Sequence, residues 1–263
     1  MDIIEIKNLT KKFGDFTAVD DISFNVKRGE IFAFLGPNGA GKTTTIKMLT
    51  TLLKPTAGNI LLDGHQVTDN PHQTRQSFGI VFQDPSLDNE LTAYENMQFH
   101  AILYGLKKDV YQKRIVDLLN LVELYDRKDS FVKNFSGGMK RRLEIARGLL
   151  HNPKVLFLDE PTIGLDPQTR NHIWAYIKNL NKQENVTIFF TTHHMEEVER
   201  MAEKIAIIDH GKILIMGTIQ EIISAAKTKT LEEAFISLTG KNIREEAGNA
   251  GQNQMRINNK LMR

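Results

Sequence analysis

The sequence predicts an α/β fold: a parallel sheet covered on both faces by helices, an antiparallel β segment ahead of it, and a helical insert within it. Three observations lead there. Short apolar runs, IFAFL (Ile31–Leu35), VLFL (Val155–Leu158) and VTIFF (Val186–Phe190), have the length and composition of strands buried on both faces. Each is followed by polar or glycine-rich residues and then a helix-like stretch, the alternation that builds a parallel sheet. From about Leu91 to Leu150 the strand signal disappears and helical spacing replaces it.

Taken in order, IIEIKNLTKKF and ISFNVKRGE alternate apolar and polar residues like half-buried antiparallel strands. IFAFL opens the parallel sheet, and TTTIKMLTTLL (Thr43–Leu53) reads as the helix after it. GIVF (Gly79–Phe82) is a further short strand. LTAYENMQFHAILYG and DVYQKRIVDLLNLVEL carry helical periodicity, and a basic helix-like stretch follows Ser136. After VLFL and VTIFF, KIAIIDHGKILIMG reads as a hairpin turning at His210-Gly211. Two short amphipathic helices then end at LEEAFISLTG. Lys241–Arg263 is rich in Asn, Gln and Gly and reads as a mobile tail.

The bulk numbers bound the function. The chain has 263 residues, 41% of them hydrophobic and 25% charged, ordinary values for a folded domain with a substantial core. A formal net charge of +2 is too small to argue for a nucleic-acid partner. There is no cysteine, which excludes disulfides and thiolate metal sites and fits a reducing compartment. No apolar run approaches the roughly 18–20 residues that span a bilayer, and MDIIEIKN lacks a basic-then-apolar leader pattern. The expectation is a cytoplasmic chain whose membrane role, if it has one, comes through a partner.

The chemistry is concentrated in short motifs. Gly36-Pro37-Asn38-Gly39-Ala40-Gly41-Lys42-Thr43 matches the phosphate loop G-x-x-x-x-G-K-[ST], with a buried strand before it and a helix after it. Glycines let the backbone N–H groups turn toward phosphate oxygens, and the helix start at Lys42, Thr43 and Thr44 adds its dipole. Lys42 is expected to reach the β- and γ-phosphates, and Thr43 to ligate Mg2+. VLFLDEP sets Asp159 and Glu160 at the carboxyl end of a buried strand, where ligands bind in such sheets. Asp159 suits the magnesium shell, and Glu160 can orient and polarise an attacking water. TTHH ends a neighbouring strand, so His193 can support the γ-phosphate or the water, while His194 is expected to face elsewhere. Gln83, after GIVF, is placed to touch magnesium or water and to sense the helical insert.

With these motifs assembled, the chain resembles the ATP-binding subunits of ABC transporters from about residue 3 to residue 240. The further residues that carry the resemblance are FSGGMKRR around Ser136, GLDP around Asp166, and the order and spacing of all the motifs. The resemblance implies a RecA-like P-loop NTPase core with an N-terminal antiparallel β subdomain. A helical subdomain of about 85–151 is inserted in it, within one ATP-binding domain of 1–240. It also implies a second ATP-binding subunit, in a head-to-tail homodimer. There Ser136, Gly137 and Gly138 donate to the γ-phosphate held by the partner's phosphate loop, Phe13 stacks on adenine, and Asp166 crosses the interface to meet Asn38. An integral-membrane permease is the implied partner, with this chain peripheral on the inner face of the cell membrane. Phe135 and Met139 depart from the family's LSGGQ, but the serine and glycines are kept. SGGMKRRLEIARGLL, LTKKFGDFTAVDDISF and LEEAFISLTG look most like the daunorubicin-resistance branch, which exports drugs, antibiotics and polysaccharides. A soluble relative acting on nucleic acid or ribosomes is the alternative. An unrelated P-loop kinase or GTPase leaves SGG unexplained and would need a guanine-reading NKxD, which is missing.

Overall fold

The structure is a computed structural model that describes residues 1–240; the expected mobile tail, Lys241–Arg263, lies outside the described residues. A six-stranded sheet forms the centre, in the order β10-β9-β3-β8-β7-β6. Its members are β3 (Ile31–Leu35), β6 (Phe78–Val81), β7 (Val155–Asp159), β8 (Thr187–Thr192), β9 (Lys204–Asp209) and β10 (Lys212–Gly217). All neighbours pair in parallel except β9 and β10, which form the antiparallel hairpin expected at His210-Gly211. Both turn residues have positive φ, 46° and 76°, the backbone that matches strand twist in a two-residue hairpin.

Period-two alternation splits each central strand between two cores. Ile31, Ala33, Leu35, Leu156, Leu158, Ile188 and Phe190 face one, with α6 (Pro167–Glu184) and the helical insert. Phe32, Phe34, Phe157 and Phe189 face the other. That second core also holds α1 (Lys42–Leu49) and a four-stranded antiparallel sheet of order β2-β1-β4-β5. It is built from β1 (Asp2–Phe13), β2 (Phe16–Lys27), β4 (Ala57–Leu62) and β5 (His65–Gln66). Phe24 stacks on Phe32 with centroids 5.5 Å apart, and Phe32 on Phe189 at 5.4 Å, joining the two sheets through aromatic faces.

Three details differ from expectation. β4 and β5, joined at Asp63-Gly64 with both residues at positive φ, extend the antiparallel sheet beyond residue 30. α1 stops at Leu49 rather than Leu53: Thr51 adopts φ 63°, and the N–H groups of Leu52 and Leu53 both turn back to Lys47 O. β8 runs to Thr192, two residues past VTIFF, which brings the strand's carboxyl end closer to His193.

Between β6 and β7 lie α3 (Ala93–Leu103), α4 (Lys108–Leu121), two short 3-10 turns and α5 (Gly137–Gly148). α3 starts with a capping box, Thr92 and Glu95 each accepting from the other's backbone N–H. At the far end of α5, Gly148 lies so close to β6 that a Cβ on Gly79 would sit 2.0 Å from Gly148 O, so helix and strand backbones touch. The remaining described helices are α2 (Pro71–Ser77), α7 (Met195–Met201), α8 (Ile219–Ala226) and α9 (Leu231–Thr239).

Candidate active site

The phosphate loop leaves the carboxyl end of β3 and enters α1. Gly39 and Gly41 have φ of 81° and 108°, and a Cβ on Gly41 would lie 2.6 Å from Ala18 O. A Cβ on Gly36 would lie 2.3 Å from Ile208 O. Glycine is therefore required at Gly36 and Gly41 by packing, and at Gly41 by conformation as well. The loop borders a cleft of about 500 Å³ whose wall includes Asn38, Lys42, Thr43, Thr44, Gln83 and Glu160. Pro37 and Ala40 shape the loop from behind; Pro37 O accepts from Ala40 N at 3.1 Å.

Lys42 is buried, and its ammonium donates to Gly36 O at 2.7 Å and lies 3.4 Å from Glu160 Oε1. Burial pushes its pKa below the ordinary lysine value, against the opposing pull of Glu160. Asp159 is held by Thr191, whose Oγ donates to Oδ1 at 2.6 Å, and Thr43 Oγ lies 3.3 Å from the same oxygen. The Thr191 hydroxyl also accepts from Glu160 N at 3.0 Å, so one side chain orients both carboxylate residues. Glu160 occupies the left-handed region at φ 47°, a strained choice for a non-glycine residue worth about 1–3 kcal/mol. Such strain persists where the surroundings over-determine it, as the paired N–H here does. His193 Nδ1 sits 3.3 Å from Glu160 Oε2, outside hydrogen-bond alignment. Burial raises the Glu160 pKa, but His193 and Lys42 outweigh it and hold the carboxyl below its ordinary value. The His194 ring lies 4.1 Å from that of His193, centroid to centroid; its own pKa is lowered by burial and then by His193.

Thr43 and Asp159 supply the hard oxygen donors that Mg2+ takes, and Gln83 stands in the same wall. Among the described residues no three His, Cys, Asp or Glu side chains cluster to hold a metal by themselves. The ion's remaining ligands would then be phosphate oxygens and water, the usual magnesium arrangement in nucleotide sites.

The predicted residues do not all converge. Ser136 is the N-cap of α5, its Oγ accepting from Met139 N at 3.2 Å. Ser136 and Gly137 are exposed, and none of Ser136, Gly137 and Gly138 lines the Lys42 cleft. Behind them Leu143, Ala146 and Leu150 are fully buried and Met139 packs against the same core. Asp166 is exposed and caps α6, accepting from Thr169 N at 3.0 Å; its pKa is lowered first by the Thr169 side chain and then by that N–H. Gly138 faces the first turn of α6, where an added Cβ would lie 2.5 Å from Thr169 Cγ2. Phe13 pairs with Phe16 across the β1–β2 turn, and it is Phe16 that lines the cleft, while Lys11 Nζ lies 5.1 Å from the Phe13 ring centre. Sequence reasoning did not single out Phe16, Ala18, Ile163 or Thr191. For Thr191 a signal existed, a polar residue at the end of a buried strand; the others reach the cleft only through the tertiary fold.

A family model described as ABC transporter matches residues 19–163. The linearmycin resistance ATP-binding protein of Bacillus subtilis (strain 168) is 41% identical over 235 residues, 89% of this chain and 75% of that protein. The daunorubicin/doxorubicin resistance ATP-binding protein of Streptomyces peucetius is 40% identical over 228 residues, 87% of this chain and 69% of that protein. Among solved structures, an ATP-binding subunit of an ABC transporter superposes with a TM-score of 0.81 at 33% identity, covering 90% of this chain and 99% of that one. An ATP-binding cassette captured as a post-hydrolysis dimer with ADP and Pi has a TM-score of 0.74 at 30% identity, covering 82% and 98%. The phosphate loop, the two carboxylates and the capped glycine helix thus stand on a known scaffold, and the chain belongs to the ABC transporter family as one of its ATP-hydrolysing, ATP-binding subunits.

Proposed function

We propose that two copies of this subunit pack head to tail, hydrolyse ATP at sites shared between them, and so drive a separate membrane permease. The observation that carries this reading is the separation of two anion-binding elements. Lys42 lies in a cleft, whereas Ser136 and Gly137 stand exposed, with Gly138 half-buried beside them, at a helix start outside that cleft's wall. A second copy would bring one element onto the other.

In this scheme the loop N–H groups and Lys42 hold the β- and γ-phosphates. Glu160 positions the water for in-line attack and takes up its proton, and His193 orients the Glu160 carboxylate. Ser136, Gly137 and Gly138 donate to the γ-phosphate of the opposite site. Mg2+, held by Thr43 with Asp159 and Gln83 nearby, would supply charge neutralisation at the phosphates. Phe13 stacks on adenine, and Asp166 reaches the opposite Asn38. The γ-phosphate contact exists only in the closed dimer, so its loss on hydrolysis favours opening.

The permease docks at the helical insert, at a groove of about 220 Å³ that includes Ser86, Leu91 and Phe99. Phe99 and Leu103 in that groove are 59% and 66% exposed, and Ile102 on the same helix is 59% exposed, an apolar surface suited to a short cytoplasmic helix. No helix among the described residues is long and apolar enough to cross a membrane, so the spanning part belongs to the partner in this reading. The subunit would lie on the inner face of the cell membrane. Export of a drug-like or other amphipathic substrate is supported by relatives named for linearmycin resistance, daunorubicin/doxorubicin resistance and Nod factor export.

Tagged Glu160→Gln protein recovered from native membranes in mild detergent, with and without ATP, tests the proposal. The expected result is an ATP-stabilised dimer with a stoichiometric multi-span partner and turnover reduced by about a hundredfold or more, the scale of a lost catalytic group. Recovery from the soluble fraction with no membrane partner in either state would favour a soluble ABC ATPase.

A further inference from the structure

The run Lys140-Arg141-Arg142 on α5 looks like a solvated basic face, yet Arg141 is only 5% exposed. Both terminal nitrogens of its guanidinium are engaged. Nη1 donates to Phe82 O and, at 3.1 Å, to Glu144 Oε2. Nη2 donates to Gln83 O at 3.3 Å and to Glu160 O at 3.4 Å. One side chain thus joins three segments: the helix that begins at Ser136, the loop that carries Gln83, and the turn that carries Glu160.

Two neighbours on the same helix face complete the grip. Glu144, 1% exposed, accepts from Ser86 N at 2.7 Å, and Arg147 donates to Ser86 O at 2.8 Å. A buried ion pair is a poor way to gain stability, since apolar replacements often do as well. A planar fork that fixes several carbonyl groups in register is something only arginine provides. Burial of Arg141 therefore needs a reason other than stability, and its acceptors supply one. The carbonyl of Glu160 belongs to a residue already held at positive φ, so a shift of that carbonyl re-aims the carboxylate facing Lys42 and His193.

We propose that Arg141 is a positioning residue for hydrolysis, locking the Gln83 loop and the main chain of Glu160 to the helix that presents Ser136–Gly138. Displacement of the Gln83 loop, which adjoins the docking groove through Ser86, is then passed to Glu160 through the guanidinium. The inference rests on the reading of Glu160 as the group that positions the attacking water.

The test uses the full chain in excess over labelled ATP, at protein concentrations where the first-order rate no longer rises, so that hydrolysis of bound ATP is independent of the fraction of protein that has folded. Arg141→Lys keeps the charge but loses the fork. Its hydrolysis rate is expected to fall about tenfold or more while the Kd for a fluorescent ATP analogue stays within about threefold. The double variant Arg141→Met/Glu144→Leu removes both buried charges. It is expected to melt close to wild type and still to hydrolyse slowly, which a purely structural role would not produce. Wild-type rates in Arg141→Lys, or in a folded double variant, would overturn the proposal; if the double variant does not fold, the Arg141→Lys rate decides. Glu160→Gln is measured alongside. Wild-type turnover there would remove the reading beneath the proposal, whereas an inert Glu160→Gln with an unaffected Arg141→Lys would sink the positioning role alone.

Discussion

Two helices in this molecule begin at glycine, and their surroundings are opposite. Gly41 ahead of α1 is held at φ 108° against Ala18 O, and the next residue, Lys42, is buried between loop carbonyls and Glu160. At the head of α5, Ser136 and Gly137 are exposed, and the Ser136 hydroxyl spends its hydrogen bond on its own helix. The first start is enclosed, with cation, carboxylates and hydroxyls gathered around it. The second is displayed, backed by an apolar stripe and tied to the first turn of α6 through Gly138 and Thr169. A helix start becomes a binding site by what faces it; here one start has its counterpart in the same chain, while in the proposed dimer the other receives one from a second copy.

The contrast is broken most severely at Lys42. Lys42→Ala is expected to weaken ATP binding by more than about a hundredfold in a fluorescence titration, because a desolvated charge-assisted contact to phosphate is lost. Gly138→Val, whose side chain would strike Thr169, should cut turnover about tenfold or more while leaving ATP binding within about threefold, since it damages the displayed start alone. Mixing these two inactive variants sharpens the comparison. Each heterodimer pairs an intact Lys42 with an intact glycine turn at one of its two sites, so activity should return to about a quarter of wild type at most. A mixture that stays inactive would argue against sites shared between copies.

A smaller effect separates the two halves by pH. His100 and His151, packed with Tyr104 within the helical insert, have pKa values lowered to about 3 and about 4, burial being the first cause for each. Unfolded, they would titrate near 6.5, so below that pH the unfolded chain binds protons that the folded chain refuses. Stability is then full above about pH 6.5 and falls as pH drops toward the folded values, by ~2 kcal/mol per histidine at pH 5. Urea midpoints at pH 7.5 and 5 should show the loss, and His151→Gln should about halve it. The smallest effect concerns the base. Phe13→Ala should raise the KM for ATP about fivefold, the worth of one aromatic contact. A rise confined to Phe16→Ala would instead place adenine against the ring that lines the cleft.

What was legible in the sequence was local. The Lys42 loop, Asp159-Glu160, His193 and the Ser136 turn could be read because each motif contains the strand end or helix start that gives it its geometry. β4–β5 is hard to read from sequence, although Asp63-Gly64 is a favoured hairpin dipeptide, because LLDGHQ is short and half-polar. Thr191 was hidden by its position: register sets it opposite Asp159, and register is not visible along a single chain. Arg141 was the clearest mismatch. A basic triplet on a helix reads as solvent-facing, and only the tertiary arrangement reveals that one of the three points inward to main-chain carbonyls.

The backbone contact between Gly148 and Gly79 has a mechanical meaning. It pins one end of α5 to the sheet, which makes the helix a lever arm with its fulcrum at β6. Twelve residues at 1.5 Å each give an arm of about 18 Å, so a tilt of about 5° sweeps the Ser136 end through about 1.6 Å. That travel is enough to make or sever a hydrogen bond to a phosphate oxygen. A bulkier residue at Gly148 or Gly79 would lift the fulcrum and displace the Ser136 end of the helix while leaving the Lys42 loop in place.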